Sequence, residues 1–209
     1  MDVFDLLGKV EKTEEDDKIS YSTGIVMAMS LKDMGFDEMD YKDFIEGMTT
    51  VFEHQVPKIS PRKAIDIFNN YVALLQEELK VKNTEIGLAF LKENAQKTSV
   101  KTLESGLQYE IMEKGSGAIP TLYDTVSVIY EGYLLNKNVF DSTKESGPQN
   151  LKVSEMIQGW KEVLQIMPVG SRWRVTIPHY LAYGEIGAPP MIQPNATLVF
   201  IIELQHILS

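Results

Sequence analysis

Apolar residues recur at two different spacings along the chain, and the change falls near residue 100. Before it they follow the three- and four-residue spacing of amphipathic helices; after it, short apolar runs alternate with polar residues as in strands. The pattern predicts a helical N-terminal domain over residues 1–100 and a second domain over residues 101–209.

The first half predicts four helices, at about residues 2–11, 14–34, 40–53 and 60–97. Gly35 is typical of a residue that ends a helix. Ser60 and Pro61 form an N-cap followed by proline at the first helical position, which marks the start of the longest helix. Residues 92–97 are polar on most faces, so this helix is expected to act as a stalk that crosses solvent.

Two apolar stripes lie side by side on the long helix. One repeats at 3-4-3-4 spacing like a coiled-coil seam and comprises Ile65, Phe68, Val72, Leu75 and Leu79. The other comprises Ala64, Ile67, Tyr71 and Leu74. The preceding helices can cover one side, and a second copy of the chain is the economical cover for the other. The stripes therefore predict a homodimer through residues 1–80; the alternative is a monomer whose short helices cover both.

The second half predicts strands at about residues 106–114, 124–134, 138–141, 151–153, 172–177 and 197–207. Between the fourth and fifth strands, Ser154 is expected to cap a helix that reaches Met167. Ile157, Trp160 and Leu164 share one face of it. These elements predict an α+β domain in which five or six antiparallel strands wrap on one short helix.

The amino-acid composition argues against several classes of function. The chain has no cysteine, its three histidines are far apart, and its net charge is −10. No metal site is therefore expected, and nucleic acid is an unfavourable partner for so acidic a chain. The sequence contains no run of eighteen apolar residues, so no membrane-spanning helix is predicted. The acidic, mixed start does not resemble a secretory signal, so the expected compartment is the cytoplasm, or the periplasm if a signal peptide was removed.

No nucleophile–base pair, paired carboxylate site or phosphate loop emerges from the sequence. The run Gly115, Ser116, Gly117 has the character of a turn. Aromatic residues occur at regular places in the second half, and on composition alone they are read as core.

The order of the motifs around these aromatics is more specific. The chain contains VIYEG at 128–132, VFDST at 139–143, MIQGW at 156–160, VGSRW at 169–173, LAYG at 181–184 and IQPNATLVF at 192–200. From about residue 103 to the end it resembles the FKBP family of macrolide-binding prolyl isomerases. The segment DKISYSTG at 17–24 is similar to the start of the helical dimerisation domain of the Mip-like bacterial subclass.

The resemblance implies an aromatic pocket between the sheet and the short helix. It assigns catalytic positions to Tyr183 as hydroxyl donor, to the pocket aspartate Asp141 and to Phe140. The substrate-binding positions that it implies are Tyr130, Met156, Ile157, Trp160 as the floor, Ile192 and Phe200.

Two positions depart from the family pattern. Ser146, with Lys144 nearby, stands where the family often has an arginine, and Ala188 stands where the rim often carries a histidine. The segment between Gly147 and Val153 is also shortened relative to the family, and Gln149 or Leu151 is expected to fill the space of a rim aromatic.

The resemblance implies a peptidyl-prolyl cis/trans isomerase that needs no cofactor. Its expected partners are proline-containing polypeptide clients, and macrolides are possible inhibitors. One alternative is a catalytically weak chaperone or peptide-binding module on the same fold. Another is a closed β-barrel for small ligands, which would need about eight long strands, more than the sequence predicts.

Overall fold

The computed structural model describes residues 14–208, so the helix predicted at 2–11 lies outside the described residues. The chain forms two compact units, the first ending at Val72 and the second beginning at Ala73. This division falls inside the longest helix. The sequence-based boundary at residue 100 follows the change of element type, and it stays a prediction.

The first unit is built from helices, as predicted. They are α1, Glu14–Asp33; α2, Tyr41–Phe52; and the first three turns of α3, Pro61–Asn94. The Asp40 side chain caps α2 by accepting hydrogen bonds from the amides of Lys42 and Asp43. Ser60 Oγ accepts from the Lys63 amide at 3.3 Å, which confirms it as the residue that starts α3.

The C-terminal part of α3 belongs to the second unit and packs on it. Gly87 and Asn94 are buried. Asn94 Nδ2 donates to Gln108 Oε1 at 2.9 Å, and Gln108 Nε2 donates back to the Leu91 carbonyl at 2.8 Å. The expectation that α3 crosses solvent as a stalk over residues 92–97 was therefore wrong at Asn94, because its amide has a buried tertiary partner.

The described residues of the second unit form an antiparallel sheet of seven strands. In chain order they are β1, Val100–Thr102; β2, Gln108–Glu113; β3, Thr125–Leu134; β4, Val139–Ser142; β5, Gln149–Lys152; β6, Arg172–Ile177; and β7, Leu198–Ile207. The order across the sheet is β1-β2-β6-β7-β3-β4, and β5 pairs with the first half of β3. The short strand β1 was not predicted.

One short helix, α4, Gln158–Leu164, supplies the other side of the core. Trp160, Val163 and Leu164 of α4 are buried with Val128, Val175, Ile202 and Leu204 of the sheet. Gly159 permits this contact, because a Cβ there would lie 2.5 Å from Ile177 Cγ2. The predicted start of this helix was wrong: Ser154 lies in a 3₁₀ turn, Val153–Glu155, and Ile157 is the N-cap of α4.

Candidate functional site

A cavity of about 330 Å³ opens between the sheet and α4. Its walls come from β3, β4, β5 and β7, from the segment that leads into α4, and from the turn after β6. The lining residues are Tyr130, Phe140, Asp141, Leu151, Glu155, Met156, Ile157, Trp160, Tyr183 and Phe200. Met156 and Ile157 have extended backbones, so they precede α4 rather than belong to it.

Aromatic rings in edge-to-face contact form much of this lining. Trp160 is 3% exposed, and its ring lies 5.2 Å from that of Tyr130 and 5.4 Å from that of Phe200, between centroids. Phe140 meets Phe200 at 5.5 Å in the same perpendicular manner. Such pairs are favourable beyond the area that they bury, so the rings hold one another in place.

Gly132 makes room for two of these rings. It pairs with Phe200 on β7 and with Asp141 on β4. A Cβ at this position would lie 2.6 Å from Phe140 Cζ and 2.7 Å from Phe200 Cε1. A side chain on Gly132 would therefore displace the rings that line the cavity.

Tyr130 makes two hydrogen bonds at the polar edge of the cavity. Its hydroxyl donates to Asp141 Oδ2 at 2.6 Å, and its backbone amide donates to Thr143 Oγ1 at 2.9 Å. Burial and the hydrogen bond to Asp141 raise the pKa of the Tyr130 phenol well above its ordinary range. Lys144 does not pair with Asp141; its ammonium lies 2.8 Å from Glu131 Oε2.

Tyr183 stands at the rim and is 41% exposed. Among the described residues, no partner accepts a hydrogen bond from its hydroxyl. Burial, and secondarily the charge of Asp141, raise the pKa of Tyr183. The hydroxyl is therefore a neutral donor at physiological pH, available to a bound molecule.

The structure brings eight of the nine sequence-predicted site residues to this cavity. The ninth, Ile192, is 4% exposed and packs in the core instead. Of Gln149 and Leu151, the two alternatives expected to fill the rim, Leu151 is in the lining. Glu155 was missed; it lies at the mouth beside Lys152, at 3.6 Å, and nothing in its local sequence distinguishes it from other surface glutamates.

The chemistry of the site is that of a binding cavity. Within the range 14–208, no three histidine or acidic side chains come together as metal ligands. A larger cavity of about 520 Å³ lies in the first unit, between α2 and the start of α3. It has an apolar lining that includes Val51, Ile59 and Ile65 but no aromatic ring. In the described part of the chain, no helix is long and apolar enough to cross a membrane.

An aromatic cavity between an antiparallel sheet and one short helix, with a free hydroxyl at its rim, defines a non-covalent binding site of the prolyl isomerase class. Comparisons with known proteins agree. Residues 117–205 match the family described as FKBP-type peptidyl-prolyl cis-trans isomerase. Residues 16–111 match the domain amino-terminal to it.

Several relatives span most of the chain. The FKBP-type 22 kDa peptidyl-prolyl cis-trans isomerase of Escherichia coli is 38% identical over 90% of this chain and 94% of its own length. The peptidyl-prolyl cis-trans isomerase Mip of Coxiella burnetii is 37% identical over 92% of this chain and 86% of its own. The crystal structure of FkpA from Escherichia coli superposes with a TM-score of 0.69, at 29% identity, over 94% of this chain and 97% of that one. The chain therefore belongs to the FKBP-type peptidyl-prolyl cis-trans isomerases.

Proposed function

We propose that the chain speeds rotation about Xaa-Pro bonds of polypeptide clients in the cavity between the sheet and α4. The observation that carries the proposal is the lining itself. Apolar and aromatic side chains surround most of the space, Asp141 and Glu155 lie at its edge, and the neutral hydroxyl of Tyr183 stands at the rim. The size and composition suit a proline ring and its neighbouring peptide units.

The reaction needs little more than such a site. Rotation about the peptide bond costs about 18–20 kcal/mol, because the planar amide is stabilised by resonance. In the twisted transition state that resonance is lost and charge separation falls. A site of low polarity therefore favours the twisted form over the planar one. No bond to the protein forms, and no proton is transferred.

The roles of the side chains follow from their places. The rings of Phe140, Trp160 and Phe200 would hold the proline ring and exclude water. Tyr183 would donate a hydrogen bond to a carbonyl of the turned peptide. Asp141 would act through Tyr130, by holding the phenol that forms one wall.

Binding at this cavity can be followed through its tryptophan. The chain has two, and Trp173 is buried against Tyr109, with ring centroids 4.5 Å apart, outside the cavity lining. In a Trp173→Phe variant, Trp160 is the only indole, and a short Xaa-Pro peptide is expected to change its fluorescence saturably. In the matched Trp160→Phe variant, the remaining Trp173 should not respond. A response of Trp173 alone would contradict the proposed site.

We also propose that macrolide inhibitors bind the same cavity, on the strength of the family resemblance and the apolar lining. The single-tryptophan variant tests this by competition. A macrolide should displace the peptide and reverse its fluorescence change, and simultaneous binding of both would contradict the proposal.

We further propose a homodimer through residues 1–80. No described side chain between residues 15 and 72 is buried. Ile65, on the first predicted stripe, is 59% exposed, and Ile67 and Leu74 of the second are exposed as well. Since one copy leaves residues of both stripes exposed, a second copy is the partner whose own apolar stripes match them.

A further inference from the structure

The turn that carries Tyr183 is fastened to α3. After Tyr183 the chain makes a loop over residues 184–195 and returns to β7. The amide of Asn195 donates to the carbonyl of Gly184 at 2.9 Å, which closes the neck of the loop directly beside Tyr183. The amide of Gly187 donates to the Tyr183 carbonyl at 3.2 Å.

The returning end of the loop contacts α3 at three successive turns. Asn195 Nδ2 lies 3.0 Å from Thr84 Oγ1 and 3.4 Å from the Lys80 carbonyl. Asn83 Nδ2 donates to the Pro194 carbonyl at 2.8 Å. One turn later Gly87 lies against Thr197, and any Cβ on Gly87 would collide with that side chain.

These contacts are specific and shielded. Asn195 is 9% exposed, and it has a positive φ of 55°, a conformation that asparagine tolerates better than most residues. Thr84 is held in turn, because its hydroxyl donates to the Lys80 carbonyl at 2.7 Å and leaves a lone pair for Asn195. The Asn195 backbone thus fixes the neck of the loop while its side chain fixes the loop to the helix.

We infer that Thr84 and Asn83 of α3, acting through Asn195 and Pro194, are positioning residues that set the place of the Tyr183 hydroxyl. The inference rests on the proposed function, since it gives Tyr183 the role stated there. The helix α3, which begins in the first unit, would then also position the Tyr183 hydroxyl. Small displacements of a donor reduce catalysis because the bond must form in the twisted state.

The test uses the full chain and a short Xaa-Pro peptide. Thr84→Val removes the nearer of the two acceptors for Asn195 Nδ2 at nearly constant shape, and we expect kcat/KM to fall about three- to tenfold. Thr84→Ser keeps the hydroxyl and should restore activity. Thr23→Val is the matched control, because Thr23 makes the same bond to the carbonyl four residues earlier, that of Ile19, in α1. It should leave activity unchanged.

A double-mutant cycle separates positioning from general destabilisation. If Thr84 acts through the Tyr183 hydroxyl, the Tyr183→Phe loss shrinks when Thr84→Val is already present. Asn83→Leu, which favours the helix but loses the Pro194 contact, should show the same coupling. Full activity of Thr84→Val, or losses that simply multiply in both cycles, would overturn the inference. An inactive wild type would instead overturn the proposed function.

Discussion

The hydroxyl of Tyr130 and the carboxylate of Asp141 are joined by a 2.6 Å hydrogen bond between neighbouring strands β3 and β4. The bond turns the phenol into a fixed wall of the cavity, in edge contact with Trp160. It also gives the Asp141 carboxylate a hydrogen-bond partner.

Replacing Tyr130 by phenylalanine should lower the free energy of unfolding by about 0.5–1.5 kcal/mol at pH 7, since the exposed Asp141 carboxylate loses its hydrogen-bond donor. The effect should depend on pH. The pKa of Tyr130 is raised in the folded chain, so the neutral phenol is the favoured form there. Its contribution is complete below about pH 10 and is lost as the pH rises through the raised pKa.

Urea unfolding of the wild type and the Tyr130→Phe variant at pH 7, 9 and 10.5 measures this difference. Comparing the two proteins at each pH cancels the titration of the other tyrosines. The stability advantage of the wild type should be equal at pH 7 and 9 and smaller at pH 10.5. An advantage that grew with pH would contradict the assignment.

A methyl group at Gly132 should damage the cavity without touching any polar site residue. Its Cβ would lie within 2.7 Å of ring atoms of both Phe140 and Phe200. Gly132→Ala should destabilise the chain by about 1–3 kcal/mol and reduce kcat/KM more than tenfold. Gly24→Ala, where an added Cβ meets no atom within 4 Å, is the control. Equal activity in both variants would show that ring placement is unimportant.

The C-terminal end of α3 is docked on the sheet in part by one buried amide, that of Asn94. Asn94→Ala leaves the Gln108 side chain without one partner, which should cost about 1–3 kcal/mol of unfolding free energy. Gln96→Ala, two residues later on an exposed face, should cost less than about 0.5 kcal/mol. Chemical denaturation of the two variants decides between this docking and a solvated stalk, for which both changes would be neutral.

The proposed dimer predicts a concentration-dependent mass. Ile65→Glu places a charge on an exposed apolar stripe of the first unit, and it should convert the dimer to a monomer in analytical ultracentrifugation. Ile119→Glu changes an exposed isoleucine of the second unit, 48% exposed against 59% for Ile65, and should leave the dimer intact. A monomeric wild type at micromolar concentration would contradict the proposal.

The spacing of apolar residues, together with capping residues, was sufficient to predict the bounds of some helices and strands. The bounds of β6 match the expected residues 172–177, and α3 starts where its cap and proline indicate. It failed where tertiary contacts override local preference. By residue type, Ser154 is a better N-cap than Ile157. However, Met156 and Ile157 line the cavity and pack against the core in an extended segment, so α4 begins after them.

The site shows the same division. Residues such as Trp160 and Tyr183 could be placed because the motif order carries their positions. Motif order does not distinguish a cavity wall from the core layer behind it, where Ile192 packs, and a substrate-binding role for Ile192 stays a prediction. The buried hydrogen bond between Asn94 and Gln108 could not be predicted either. The polarity of residues along a helix gives no information on a partner fourteen residues away in the chain.

The most direct measurement is isomerase activity on a short Xaa-Pro peptide, with the wild type beside Tyr183→Phe and Trp160→Ala. We expect high isomerase activity in the wild type, a partial loss of activity in Tyr183→Phe and a larger loss in Trp160→Ala. Circular dichroism should show that all three proteins are folded. A folded wild type without activity, or variants as fast as the wild type, would contradict catalysis in this cavity and leave a peptide-binding module on the same fold.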